Sequence, residues 1–427
     1  MTRCPLPTLA AAGFVVFTLA GASPAGPPPS ADRFWPQWRG PLGTGEAPKA
    51  NPPLEWSEEK NVRWKVEVPG RGKSSPIVWG DLVFVTTAVP TGRDSAQEFV
   101  VLAFGRANGQ VRWRKTVRTL VPHEGTHPDG TFASSSALTD GEGLYAFFGS
   151  RGLFALDLSG RVLWEKDLGR MSTRMGFGEG ASPALFGDTL VVNWDHEGKD
   201  FIVAVDAKTG KELWRNDQRD EPTTWATPLV VVHEGKPQVV TSGTNRVRSY
   251  DLETGKLLWE AGGLTANVIP SPVSADGMVY LTSGFRGNAL IAVRLAEARG
   301  DITGTSAIAW SYDRDTPYVP SPLLYRDGLY FLKSNSAVLT RLDARTGKPS
   351  DTERLARMSN VYASPVGAGG RIYVAGRDGV TDVLDAGPQL KVLATNVLAD
   401  GFDASPAVVD GEIYLRGYQH LYRISQD

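Results

Sequence analysis

The chain has 427 residues, of which 41% are hydrophobic, and its formal net charge is −2. This composition is that of a globular protein, and the nearly neutral total argues against a polyanion-binding surface and against nucleic acid as a partner. Its 47 glycines and 29 prolines favour a fold made of strands and turns.

Residues 1–22 have the features of a secretory signal. Arg3 supplies a positive end, an apolar run extends from Leu6 to Ala20, and the small residues up to Ala22 suit a cleavage site. The apolar run is too short to span a bilayer comfortably. We therefore expect a chain that is exported to the periplasm or secreted, with no transmembrane segment in its mature form.

Cys4 is the only cysteine, and it lies inside this predicted signal. The mature chain would have no thiol, so we expect neither disulfides nor thiol chemistry. The stretch Leu19-Ala-Gly21 resembles the start of a bacterial lipoprotein box, but Ala22 stands where the acylated cysteine would be. We therefore expect that the protein is not lipid-anchored.

Several segments precede the repeated part of the chain. Residues 23–33 are predicted to be a Pro-rich linker, and residues 34–427 a single domain. The aromatic stretch from Phe34 to Gly40 is expected to pack against the outside of that domain. The tetrapeptide at 62–65 mirrors the one at 111–114, which indicates an outermost strand without a blade of its own.

The stretch from Phe201 to Trp214 defines a repeating unit. Residues 201–206 form a predicted buried strand, Asp206 and Gly210 a tight turn, and Trp214 anchors an outer strand. Similar hairpins recur along the chain, most of them preceded by a Ser-Pro pair and a further strand. The tryptophans of the repeat are Trp64, Trp113, Trp164, Trp214, Trp259 and Trp310.

Eight such units follow one another at a period of about 45 residues, which is the spacing of propeller blades. We predict an all-β fold, an eight-bladed β-propeller of four-stranded antiparallel blades. The eighth unit ends near Ser425, before any outer strand. Residues 61–68 would fill that gap, close the ring and remove its unpaired edges. We expect a monomer.

The pattern Ala-x-Asp-x-x-Thr-Gly-x-x-x-Trp, present from Ala204 to Trp214, resembles the repeat of the pyrroloquinoline-quinone (PQQ) type propellers. The resemblance extends from about Trp64 to the C-terminus. It implies the fold of the quinoprotein alcohol dehydrogenases, with tryptophans docked between neighbouring blades. It does not decide the function, because the same repeat serves dehydrogenases and non-catalytic scaffolds.

The hydroxyl residues that open the blades are interpreted as structural groups that form hydrogen bonds with the local backbone. They recur at eight equivalent positions, which indicates a structural role and argues against a catalytic nucleophile. The residues just before them differ from blade to blade, and we expect them at the rim of a central funnel. Ser134 is one of them. The binding candidates among them are Lys73, Glu179, Trp225, Asn267, Tyr318, Tyr362 and Asp403.

Histidines near acidic residues suggest a metal site. His123 and His127 lie in the longest insertion, between the first two blades, and His196 lies in the third blade. These three are the candidate metal ligands. Their spacing matches no recognised metal signature, and solvated loop histidines are the alternative.

Three functions stay open, and the first is favoured. It is an exported, non-catalytic scaffold without a cofactor that binds a protein or peptide partner through its funnel face. In size and repeat the chain resembles the propeller lipoproteins of outer-membrane barrel assembly, although it lacks their acylated cysteine.

The second function is a PQQ-dependent dehydrogenase. That resemblance implies PQQ with Ca²⁺, for which Asp403, Glu179 and Asn267 are the candidate groups, but the adjacent cysteines of that family's cofactor site are missing. The third function is a carbohydrate-binding module, in which Trp225, Tyr318 and Tyr362 stack on sugar rings.

Overall fold

The computed structural model describes residues 1–2, 31–217 and 220–426. The predicted signal and most of the predicted linker therefore lie outside the described residues, apart from their ends. Helix is confined, in the described ranges, to three short 3-10 turns at Ala31–Arg33, Gly149–Arg151 and Arg174–Gly176. The described part of the chain contains no helix long and apolar enough to cross a membrane.

Strands make up the rest of the regular structure, and they are numbered in chain order. They are β1 (Val62–Glu67), β2 (Ile77–Trp79), β3 (Leu82–Pro90), β4 (Gln97–Gly105), β5 (Val111–Leu120), β6 (Leu138–Thr139), β7 (Gly143–Phe147), β8 (Leu153–Asp157), β9 (Val162–Lys166), β10 (Ala184–Phe186), β11 (Thr189–Trp194), β12 (Phe201–Asp206), β13 (Glu212–Asp217), β14 (Leu229–His233), β15 (Lys236–Thr241), β16 (Val247–Asp251) and β17 (Leu257–Ala261). The remainder are β18 (Val273–Ala275), β19 (Met278–Ser283), β20 (Ala289–Arg294), β21 (Gly300–Asp301), β22 (Ile308–Tyr312), β23 (Leu323–Tyr325), β24 (Gly328–Leu332), β25 (Val338–Asp343), β26 (Pro349–Arg354), β27 (Val366–Ala368), β28 (Arg371–Ala375), β29 (Val380–Asp385), β30 (Val392–Val397), β31 (Ala407–Val409), β32 (Glu412–Arg416) and β33 (His420–Ser425).

These strands form eight antiparallel sheets, which are the blades of the predicted propeller. Blade 1 has the order β2-β3-β4-β5, and the next blades repeat it through blade 7, β27-β28-β29-β30. Blade 4 carries one more short strand, because β21 pairs in parallel with β17. The apolar cores lie between neighbouring blades, as where Phe84 of blade 1 packs with Leu144 and Phe154 of blade 2. The all-β, eight-bladed prediction is confirmed.

The two ends of the described chain close the ring together. Blade 8 has the order β1-β33-β32-β31, so its outermost strand comes from the N-terminal side. Trp64 of β1 pairs with Arg423 and Val66 with Leu421. The N-terminal strand therefore covers an edge that would otherwise be unpaired, as the sequence predicted.

The outer-strand tryptophans lie between blades, as the family resemblance implied. The indole N–H of Trp214 donates to the Leu252 carbonyl of the next blade at 2.8 Å. Trp64, Trp113, Trp164 and Trp310 make the same contact across their own blade boundaries. Trp259 is the exception, because its indole N–H donates to the Gln238 side chain within the same blade. Its strand β17 pairs with β21, where the other tryptophans meet a turn of the next blade.

The hydroxyls that open the blades make one closed ring of hydrogen bonds. The backbone N–H of each donates to the hydroxyl oxygen of the next, at 2.8 to 3.0 Å. The hydroxyls do bond to backbone, as expected. Their partners, however, lie in the neighbouring blade and not close by in the chain, which corrects the expectation of local bonding. The members of this hydroxyl ring are Ser75, Ser136, Ser182, Thr227, Ser271, Ser321, Ser364 and Ser405.

The aromatic N-terminal segment does not pack on the outer wall of the propeller, which corrects the expectation from the sequence. Residues 35–47, here called the plug, cross the lower end of the central channel. Trp35 forms an antiparallel β-bridge with Val78 of blade 1, and the Thr44 carbonyl accepts the backbone N–H of Leu324 of blade 6. The buried Arg39 donates to the Pro322 and Pro365 carbonyls at 2.8 Å. These partners hold the plug to blades 1, 6 and 7.

Candidate functional site

The upper face of the ring contains a funnel. Turns between the second and third strands of the blades, and the loops that lead into each next blade, lie on this funnel face. All eight residues that the sequence placed at the rim line one cavity of about 430 Å³. Trp38 of the plug also lines it, at the level of the hydroxyl ring. The cavity therefore reaches the plug. A binding role for the rim residues stays a prediction.

One side of the funnel cavity carries a network of paired charges. Arg377 contacts Asp403 at 2.9 Å and Asp129 at 2.6 Å, and Lys73 pairs with Asp403. The guanidinium of Arg377 also lies 4.3 Å above the ring centroid of Tyr362. Partial burial favours a raised pKa at Asp129, but hydrogen bonding and charge from Arg377 outweigh it and lower the pKa. Asp129 is therefore held as a carboxylate.

A second charged pair lies across the cavity. The side chains of Arg151 and Glu179 are buried, and their atoms Nη1 and Oε1 are 2.9 Å apart. Ser150 donates its backbone N–H and its hydroxyl to the same carboxylate. Glu179 therefore has its charge and both oxygens satisfied by the protein.

The opposite wall is aromatic. Phe285 and Tyr318 stack with centroids 4.9 Å apart, and the indole N–H of Trp225 donates to the Gly178 carbonyl at 2.7 Å. Asn267 stands beside them and is 4% exposed. Its Oδ1 is buried and has no hydrogen-bond partner in the described structure.

Two loops make a lid over part of the funnel: residues 121–130, the insertion between blades 1 and 2, and residues 171–178, between blades 2 and 3. They are joined where His127 N donates to the Phe177 carbonyl at 3.0 Å and where Thr173 donates to Glu124. Asp129 fastens the lid to blade 7 through Arg377. The lid is thus attached on both sides of the funnel.

The three histidines predicted as metal ligands make hydrogen bonds in and beside the lid. His123 Nε2 lies 2.7 Å from the Met171 carbonyl, and His127 Nδ1 accepts the N–H of Asp129. His196 Nδ1 accepts N–H groups of Ser172 and Gly198, while its Nε2 contacts the Lys199 carbonyl. Of these three histidines, only His123 belongs to a group of neighbouring potential ligands within the described ranges.

One group of potential metal ligands does occur among the described residues, and it combines His123 with Glu124 and Glu179. Their ligand atoms lie within 4.8 Å of one another. Both carboxylates, however, already accept hydrogen bonds from Thr173, Ser150 and the Arg151 pair. A metal role for this group stays a prediction.

The funnel residues do not fit PQQ with calcium. The cofactor's carboxylates need free cations and the ion needs free oxygen ligands. Lys73, the one cation in the described lining, is paired with Asp403, and Glu179 is paired with Arg151. The candidate calcium ligands are thus committed elsewhere, except for Asn267.

Sequence reasoning missed Arg377, Trp38 and Phe285. Arg377 and Phe285 lie in turns between the second and third strands of their blades. The sequence had placed at the rim only the loops that connect the outer strand of one blade to the inner strand of the next. Trp38 reaches the cavity through the plug, which has no repeat pattern to place it. The position of Phe285 could have been inferred from blade geometry, since these turns share the funnel face.

The closed ring, the tryptophan contacts and the Thr-Gly turns define the class of this protein as a PQQ-repeat propeller. A family model described as outer membrane protein assembly factor BamB matches residues 54–193 and 198–427. The chain belongs to that family.

Individual relatives are more distant. BamB of Burkholderia pseudomallei (strain K96243) is 26% identical over 231 residues, which are 51% of this chain and 52% of the relative. The serine/threonine-protein kinase AfsK of Streptomyces griseus is 28% identical over 177 residues, 38% of this chain and 19% of the kinase. The chain thus spans about half of one curated relative and about a fifth of the other.

Solved structures share the fold. BamB from Moraxella catarrhalis has a TM-score of 0.59 and 16% identity, with 85% of this chain and 99% of that chain covered. A quinohemoprotein alcohol dehydrogenase from Comamonas testosteroni has a TM-score of 0.66 and 11% identity, with 93% and 81% covered. At these identities the likeness shows architecture alone.

Proposed function

We propose that this protein is an exported, non-catalytic scaffold that binds a segment of another protein on its funnel face, in the outer membrane protein assembly for which its family is named. Family membership supports the scaffold role. The pairing of the funnel charges supports the absence of cofactor chemistry. A single exposed side chain on the lid carries the proposal that the funnel face is the docking surface.

That side chain is Met175, which is 81% exposed. Its backbone has a positive φ of 53°, which is costly for a residue with a side chain. Hydrogen bonds at the neighbouring residues fix this turn, including one from the Arg174 N–H to Thr223 at 2.8 Å. An adaptable apolar side chain held in solvent on a strained, well-fastened turn is suited to a partner's pocket.

Other exposed apolar side chains share this face. Val121 begins the lid, and Tyr418 lies in the turn of blade 8, where its hydroxyl contacts Asp403 at 3.2 Å. Charged pairs such as Arg377 with Asp129 lie among them. Apolar contacts among polar groups are the composition of a transient protein interface.

Photo-crosslinking in cells that export the protein tests this proposal. A photoreactive amino acid at position 175 should give crosslinks to one defined protein. The matched control is position 163, where Leu163 is 48% exposed on β9 at the circumference of the ring. No product, or the same products at both positions, would contradict docking on the funnel face.

A further inference from the structure

The hydroxyl ring has a property that its structural role does not use. Each hydroxyl oxygen accepts a backbone N–H, yet none of the eight donates its own proton to an acceptor within the described ranges. A hydroxyl carries one donor and two acceptor sites. Those that line the funnel cavity are Ser75, Ser136, Ser182, Thr227, Ser364 and Ser405. The lining of the cavity therefore offers a set of O–H donors.

Asn267 adds the complementary group. Its side-chain oxygen is buried in the wall of the same cavity and lacks a donor. An unpaired buried polar group destabilises the folded protein. Its backbone also has a positive φ of 55°. The protein thus maintains an unpaired amide oxygen beside the aromatic wall, and a ligand's O–H or N–H would satisfy it once the Asn267 amide rotates toward the cavity, because the oxygen itself is buried.

Flat apolar surfaces complete the lining. Phe285 and Tyr318 are stacked on each other in the wall of the cavity, and the Arg286 guanidinium lies 5.4 Å from the Phe285 ring centroid. Trp225 is fixed by its indole hydrogen bond, and Trp38 of the plug also lines the cavity. Aromatic faces of this kind pack against the C–H face of a ring-shaped polar molecule.

The charges around the cavity cancel. Lys73, Arg377 and Arg151 balance the carboxylates of Asp129, Asp403 and Glu179, and each carboxylate is in an ion pair. Among the residues that line the cavity, a ligand carrying net charge would find no unpaired counter-charge and would lose its hydration, since Arg286, which lies over the Phe285 ring, is not one of them. The cavity is therefore suited to a neutral ligand.

We propose that the funnel cavity binds a neutral saccharide. A sugar ring presents many hydroxyls that both donate and accept, together with an apolar C–H face, and these match the donors, the Asn267 acceptor and the aromatic wall. A polypeptide running through the propeller fits less well, because the plug crosses the lower end and the lid covers part of the mouth. This site lies beneath the lid and is separate from the docking surface around Met175.

Calorimetric titration of the full chain tests the proposal, with methyl glucoside, N-acetylglucosamine and maltose as probes. Saturable binding of at least one probe is expected, weakened about tenfold or more in Asn267→Gly, a loss of ~1.4 kcal/mol. Glycine tolerates the positive φ at this position. The matched control is Asn360→Gly, because the Asn360 Oδ1 is also buried and unpaired but lies outside the cavity. It should bind like the unaltered chain.

Three results would overturn the proposal: no probe saturates at its solubility limit, both asparagine variants lose affinity equally, or an unstructured peptide titrates instead and depends on Asn267. Thermal unfolding first checks that the variants fold. Should Asn267→Gly not fold, Tyr318→Leu provides the second test. It removes the aromatic hydroxyl and one flat face of the wall, and an unchanged affinity would equally overturn the proposal.

Discussion

The glycine of each Asp-x-x-Thr-Gly turn, at Gly210, Gly255 and Gly347, lies against the indole of the preceding blade. A Cβ at Gly255 would come 2.6 Å from Trp214, and at Gly210 2.8 Å from Trp164. The repeat therefore pairs two residues from different blades, the turn glycine and the tryptophan. This is why so short a pattern could predict the fold.

Comparison of Gly255→Ala with Gly304→Ala separates the contact with the indole from the strain of the left-handed backbone. Gly255 and Gly304 both have a φ of +71°, but nothing lies within 4 Å of a Cβ at Gly304. Gly304→Ala should lose about 1–2 kcal/mol from the left-handed backbone alone. Gly255→Ala should lose a further ~1–3 kcal/mol from overpacking against the indole. Equal losses of stability on chemical denaturation would show that the indole does not need the glycine.

The fastening of the lid should depend on pH through Asp129. Its pKa in the folded protein is lowered from the ordinary 3.8, so the ion pair with Arg377 is intact above that value and is lost as pH falls through the lower folded pKa. Hydrogen exchange of residues 121–130 should therefore rise, relative to neighbouring loops, below about pH 3.8.

Asp129→Asn should produce the same loosening at neutral pH. The control is Asp157→Asn, because Asp157 pairs with Arg161 inside its own turn. Unchanged exchange of the lid in Asp129→Asn would mean that other contacts hold it.

The rim residues show how far single positions could be predicted. Lys73, Trp225 and Asp403 were located from their place before a repeated Ser or Thr. Asp129 lies 248 positions from Arg377 in the chain, and no sequence spacing connects them. Contacts between unrepeated loops depend on tertiary packing, so the lid and its histidines could not be predicted.

At the scale of elements, the two N-terminal segments have different tasks. Strand β1 completes blade 8 with its Val-Arg-Trp sequence, which repeats that of β5 and so could be predicted. The plug has no repeated counterpart. Its position depends on Arg39 and on backbone pairing with blades 1 and 7, which only the folded ring provides.

Stepwise truncation should separate these tasks. Removal of residues 1–31 should be harmless, because the plug and β1 remain. Removal of residues 1–60 should keep a closed, monomeric ring that is less stable, because the plug is lost. Removal of residues 1–68 should expose the edge of β33 and cause aggregation.

Size-exclusion chromatography and thermal unfolding measure these three outcomes. A monomeric and equally heat-stable protein after the longest truncation would contradict the closure of the ring by β1.

At the scale of the whole molecule, the propeller is common to scaffolds and to quinoprotein enzymes, so the ring itself does not distinguish them. The function must therefore be argued from the residues of the funnel. Here its carboxylates are in ion pairs with Lys73, Arg377 and Arg151, which leaves Asn267 as an unpaired oxygen ligand. A scaffold that binds through the lid has no need of free acids in the funnel.

The most direct measurement is a calorimetric titration of the purified protein with PQQ in the presence of Ca²⁺, followed by a dye-linked assay of alcohol oxidation. A non-catalytic scaffold predicts no calcium-dependent complex and no turnover, because the candidate ligands Glu179 and Asp403 are already paired. A stoichiometric, calcium-dependent complex that oxidises an alcohol would contradict this and would make the funnel an active site.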